Sequence, residues 1–198
     1  MQVGEARIGL DAPPGFADTT FTGSPRLQEL AEALTSPSNR ILLFAISDGD
    51  LRKFMQGDTP ELRRYMVAVT PKVLERERLD RERFDGFVQG ALRELGTPPP
   101  AGKTFAEVFD AQPAGKPVLL SELRRDPDLV SVLVGARVPP HPRSQKPQYL
   151  LSSTTLMRVR GKALSLAVYG AYETAADAEW IRAITARWID ELQRLNLR

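Results

Sequence analysis

The run Gly96-Thr-Pro-Pro-Pro-Ala-Gly-Lys-Thr104 has the outline of a phosphate-binding loop, a glycine followed by a spacer and Gly-Lys-Thr. Such a loop works by turning successive backbone N–H groups onto phosphate oxygens, and it needs four residues between its first glycine and the Gly-Lys-Thr end. Five residues separate Gly96 from Gly102 here, and Pro98, Pro99 and Pro100 have no N–H to give. The loop should also follow a strand, whereas the residues before Gly96 carry a helical pattern. The spacing therefore argues against an ATP or GTP site. Gly96 reads as a helix stop, residues 97–103 as a stiff proline-rich connector, and Thr104 with Glu107 as a capping box that opens a short helix.

Other chemistries are as thinly provided. His141 is the single histidine, which excludes two-histidine metal sites, and it lies between prolines in a loop-like stretch with nothing in sequence to orient it as a base. Cysteine is absent, so there are no disulfides, thiolate metal sites or cysteine nucleophiles. Asp48 and Asp50 hint at calcium, but the twelfth position counted from Asp48 is Thr59 rather than glutamate, and helix capping by Asp48 is the simpler reading. Glu75, Glu77, Asp80, Glu82 and Asp85 alternate with Arg76, Arg78, Arg81 and Arg83, a pattern of surface ion pairs. No residue is assigned to catalysis, to a metal or to a cofactor.

Charge is distributed unevenly. The net charge is only +2, yet no acid occurs from Leu129 to Tyr172, where Arg137, His141, Arg143, Lys146, Arg158, Arg160 and Lys162 fall. Strands are poor in Asp and Glu in any case, so the bland reading is a solvated basic face. The functional reading is a partner-binding surface, with an acidic protein as the favoured partner. Nucleic acid is the runner-up, disfavoured by the small net charge and the lack of a nucleic-acid-binding motif. The three bases at the tip of the hairpin "LMRVRGKALSLAVYG", Arg158, Arg160 and Lys162, are expected to be exposed. The loop bases and the hairpin bases can also form two separate patches.

The elements that would position these residues follow from periodicity. Residues 4–18 read as a strand ending in a Pro-Pro-Gly turn. Residues 24–36 read as a helix capped by Ser24 with Pro25 in its first turn, burying Leu27, Leu30, Ala31 and Leu34. The apolar run 40–47 suits a strand covered on both faces. A brief helix at 48–57, a further helical turn at 59–65, a strand at 65–71, and a helix with Phe84, Phe87, Val88 and Leu92 on one stripe come next. Residues 127–138 alternate as a strand. Gly161-Lys162 suits a two-residue hairpin turn that pairs Val159 with Leu164. The closing helix, boxed by Thr174 and Asp177, buries Ile181, Ile184, Trp188, Leu192 and Leu195. Length and order imply one α+β domain over 1–198, a mainly antiparallel sheet flanked by helices in an α/β/α-type sandwich. No apolar run reaches the ~20 residues of a membrane span. Without a signal peptide the chain is cytoplasmic if Met1 is its native start, and exported if a leader has been removed.

The opening strand running into "APPGFADT", the hairpin "LMRVRGKALSLAVYG" and the closing amphipathic helix together resemble the superfamily of the photosystem protein PsbP and the Ran-binding Mog protein, which has bacterial periplasmic members. That resemblance covers the first twenty residues or so and the last fifty. It implies an antiparallel sheet between helices and a role in binding rather than catalysis, and it carries over no functional residues. The reading that follows is a non-enzymatic accessory or protein-binding domain. Two alternatives stay open: a small hydrolase-type enzyme with carboxylates or a Ser/Lys pair assembled from distant segments, and a binder of nucleic acid or an anionic surface through residues 129–172.

Overall fold

The computed structural model describes residues 1–100, 102–139 and 147–197. Its centre is a seven-stranded antiparallel sheet in the order β3-β4-β5-β9-β8-β7-β6. The strands are β3 (Phe16–Asp18), β4 (Asn39–Ser47), β5 (Arg64–Pro71), β6 (Val118–Asp126), β7 (Leu129–Arg137), β8 (Tyr149–Val159) and β9 (Lys162–Tyr172). A two-residue pair, β1 (Gln2–Val3) and β2 (Ala6–Arg7), forms a separate hairpin at the start.

Both sheet faces are covered, which gives the expected α+β sandwich. On one face lies α5 (Ala175–Asn196), whose Ile181, Ile184, Trp188 and Leu192 pack on odd-numbered residues of β8 and even-numbered residues of β9. Beside it, α4 (Phe105–Asp110) inserts Val108 and Phe109 over Leu133 and Leu151. On the other face, α1 (Pro25–Ala33) sets Leu27 and Ala31 on Phe44, Tyr65 and Val67, and α2 (Asp48–Met55) adds Leu51 and Phe54. Farther along that face, α3 (Arg81–Leu92) presses Phe84 and Val88 onto Val130, Val132, Val134 and Leu156. The β4 and β7 runs are thus apolar on both sides because both sides are buried. Two pairs of hydroxyls inside satisfy each other: Ser131 meets Thr155 at 2.7 Å, and Ser153 meets Thr185 at 2.6 Å.

Local signals explain most boundaries. The Ser24 side chain accepts from the Leu27 amide with Pro25 at the first position of α1, Asp80 caps α3, and the Thr104–Glu107 box opens α4. Gly96 stands at φ +70° after a 3₁₀ turn, Arg93–Leu95, as a helix stop requires.

Five expectations need correction. The opening 4–18 stretch is not one strand: Gly4, at φ +53°, turns the chain between β1 and β2, and only Phe16–Asp18 joins the sheet. Residues 59–65 form no helix, because Leu62 takes φ +51° and the Glu61 amide is held by the Asp50 carboxylate at 3.0 Å. Helix α2 is capped by Ser47, not Asp48; Ser47 and Asp50 bond reciprocally. Strand β6 was not foreseen. Finally, the hairpin turn is Arg160-Gly161, both with positive φ as a type I′ turn demands, so Val159 pairs with Lys162 and Met157 with Leu164. The slip is of two residues, so each side chain keeps its face.

Candidate functional site

The displaced turn changes what the hairpin tip is made of. As the first residue of β9, Lys162 faces inward and is 4% exposed. Its ammonium donates to the carbonyls of Glu75 (3.1 Å) and Glu77 (2.7 Å). A buried ammonium needs such partners, since an unsatisfied charge in the interior is too costly to keep. The expectation that all three hairpin bases are exposed therefore fails for Lys162, and Arg158 is half-buried against Asp128, which leaves Arg160 as the exposed one.

The loop between β5 and α3 is pinned to the tip by further bonds. The Leu79 amide donates to the Gly161 carbonyl at 2.8 Å, and an Arg158 guanidinium nitrogen donates to the Leu79 carbonyl at 3.3 Å. Arg158 also holds Asp128 at 2.6 Å. Arg160 reaches across to the Arg7 carbonyl at 3.1 Å, which ties in the β1–β2 hairpin. The Arg78 side chain lies over the turn: a Cβ added to Gly161 would stand 3.0 Å from its Cγ.

Three chain segments thereby bring their arginines to one end of the sheet. Arg7, Arg76, Arg78, Arg81 and Arg160 are all exposed there. Three of the interleaved acids are engaged elsewhere. Glu75 pairs with Arg40 at 3.1 Å, Glu77 with Arg83 at 3.1 Å, and Asp80 is spent on capping α3. Among the described residues, Arg7, Arg76, Arg78 and Arg81 form no ion pair. The ion-pair pattern read from residues 75–85 thus holds only at Glu77–Arg83. Arg76, Arg78 and Arg81 are hidden in the sequence because alternating charges look self-neutralising. The missing signal was the turn register that draws Lys162 inward and the loop with it.

Arg137 sits at the other end of the sheet. It faces Asp110 at 3.8 Å, and Asp110 also accepts from the Tyr149 hydroxyl at 3.1 Å and 3.0 Å. Strand β8 runs between the two ends, roughly 33 Å at ~3.3 Å per residue. Arg137 and the tip bases are therefore separate patches. His141, Arg143 and Lys146 lie outside the described residues.

Two hollows lie among the described residues. One, of about 670 Å³, lies between α1 and β4 over a floor of Leu27, Ala31, Ile41 and Phe44. The other, of about 330 Å³, is lined by charges already committed to one another: Lys53 with Glu61 (2.5 Å), Arg64 with Asp177 (3.4 Å), and Arg63 with Glu173 outside its wall. Arg64 also stacks on Trp180, 4.1 Å from the ring centre. Burial pushes the Tyr65 hydroxyl, on the α1 face, well above the usual tyrosine range, with its stacked neighbour Tyr169 adding to the shift. Among the described residues, no three His, Asp or Glu side chains are grouped to hold a metal ion, and no helix is long and apolar enough to cross a membrane.

No family model matches the chain, and no curated protein does. Among solved structures it is similar to the Ran-binding protein Mog1p of Saccharomyces cerevisiae, at 11% identity over 94% of this chain and 85% of that one, with a TM-score of 0.37.

Proposed function

We propose that this is a non-enzymatic protein-binding domain that engages an acidic polypeptide surface through the arginines at the β8–β9 tip. The observation that carries the reading is the convergence of Arg7, Arg76, Arg78 and Arg81, exposed and without ion pairs among the described residues, on one end of the sheet. Guanidinium forks match carboxylates two bonds at a time and are weakly hydrated, so they suit contacts that must shed water. Exposed like charges gathered without direct ion pairs also repel one another, and an acidic partner relieves that repulsion.

The test is fluorescence anisotropy with a fluorescein-labelled oligo-glutamate peptide. Saturable binding that weakens as salt shortens the screening length towards ~8 Å is the expected result. Arg76→Glu with Arg78→Glu should abolish it, while Arg182→Glu with Arg187→Glu, the same charge change on the exposed face of α5, should not. Equal loss in both double variants would reduce the effect to net charge and overturn the reading. Tighter binding of single-stranded DNA, or of phosphatidylserine vesicles, than of the peptide would replace the acidic protein by that partner. Arg158 is a poor choice for reversal, since it holds Asp128 and Leu79.

A further inference from the structure

We propose that Lys162 is the positioning residue of this arginine surface, a buried cation that fixes the loop bearing Arg76 and Arg78 without itself meeting the partner. The inference rests on the reading above. Lys162 touches each neighbouring segment. Its ammonium holds the Glu75 and Glu77 carbonyls, which flank Arg76, and the Gly161 carbonyl next to it holds Leu79 beyond Arg78. The β1–β2 turn closes on the same group: a Cβ at Gly4 would stand 2.4 Å from the Glu75 carbonyl oxygen and 2.8 Å from Lys162 Nζ, at a φ of +53° that favours glycine.

The choice of lysine is informative. Among the described residues no carboxylate pairs with it; its ammonium is held there by two backbone carbonyls. An uncharged side chain of similar shape would avoid burying a charge, but it would leave both carbonyls without their donor. Lysine therefore serves the loop, because it supplies donors to the carbonyls on either side of Arg76. Methionine could fill the space but would not hold the loop.

The test uses the same labelled oligo-glutamate peptide, with Lys162→Met and Gly4→Ala, the second of which leaves the lysine in place and crowds the loop off it. Both should weaken binding roughly tenfold, the scale set by loss of one hydrogen bond to a charged group. Amide exchange at Leu79 should quicken in both, while amides of β4 and β5 keep their protection. Rescue is available because the chain contains no cysteine. Lys162→Cys, alkylated in denaturant with 2-bromoethylamine and refolded, rebuilds a lysine-like ammonium and should restore binding and Leu79 protection together. If the wild-type chain does not bind the peptide, the surface reading falls and this inference with it. If the wild type binds and Lys162→Met binds equally well, the inference alone falls. Collapse of the whole sheet in both variants would also overturn it, since Lys162 would then hold the fold at large rather than the loop.

Discussion

The indole N–H of Trp188 donates to the Asp11 carbonyl at 2.8 Å, joining the middle of α5 to the segment that leads from β2 to β3. About two turns farther along, Asn196 and Gly9 exchange bonds at 2.9 Å and 2.8 Å. The N-terminal segment is thus strapped along the closing helix, and the helix is in turn bedded on the sheet. Trp188 is 1% exposed. Replacing it by alanine should cost ~3–5 kcal/mol, enough to unfold a marginal domain. Trp188→Phe keeps most of the packing but drops the bond to Asp11, so it should cost about 1 kcal/mol. Denaturant melts of the two variants check this; a Trp188→Ala protein as stable as wild type would show that the helix is wrongly placed.

Acid should loosen the start of α5. Burial tends to raise the Asp177 carboxyl, but bonds from the Glu173 and Thr174 amides and from Arg64 outweigh it and hold the group below the usual carboxylate range. A lowered acid contributes stability above its unfolded pKa, ~3.9 for Asp, and loses it as pH falls through the folded value. Asp177→Asn should therefore be less stable than wild type near neutrality, by ~1 kcal/mol as for a lost cap, and the two proteins should converge below about pH 4. Melting temperature against pH reads this out, and a constant gap through the acid range would contradict it.

Nucleotide should not bind at Gly96–Thr104. A phosphate loop sends its threonine hydroxyl to magnesium. Here the Thr104 amide and hydroxyl both donate to the Glu107 carboxylate, at 2.7 Å and 2.8 Å, and those bonds keep that carboxyl low and ionised. A fixed negative charge occupies the place where a phosphate would sit. Titration calorimetry with Mg-ATP and Mg-GTP should give no saturable heat, and micromolar binding lost in Lys103→Ala would refute this.

The sequence was legible wherever a local rule governs the outcome. The caps of α1, α3 and α4, the apolar β4 run and the stripe of α5 are all nearest-neighbour effects. Leu195, at 41% exposed, marks where the α5 stripe runs past the sheet. Strand β6 was unreadable because two register shifts, between Leu119 and Ser121 and between Glu122 and Arg124, break the alternation by which a strand is recognised. The tip was half legible. Arg158, Arg160 and Lys162 were found, but Arg7, Arg76, Arg78 and Arg81 join them only through contacts between residues about 80 to 150 positions apart, which no local pattern encodes.

Strand β6 also bears on how the protein behaves when crowded. It is an outer strand, and an exposed row of free backbone groups is a template on which another chain can polymerise. Its two bulges break the straight run of donors and acceptors that a second strand would need. Glu122 and Arg125 stand exposed along it, and Arg124 bends away to Asp126, Asp190 and Gln193, clipping the strand to α5. At the opposite margin β3 offers only three residues. Fibril growth from the native state through these margins is therefore obstructed, and amyloid, if it forms at all, has to begin from chains that have first unfolded.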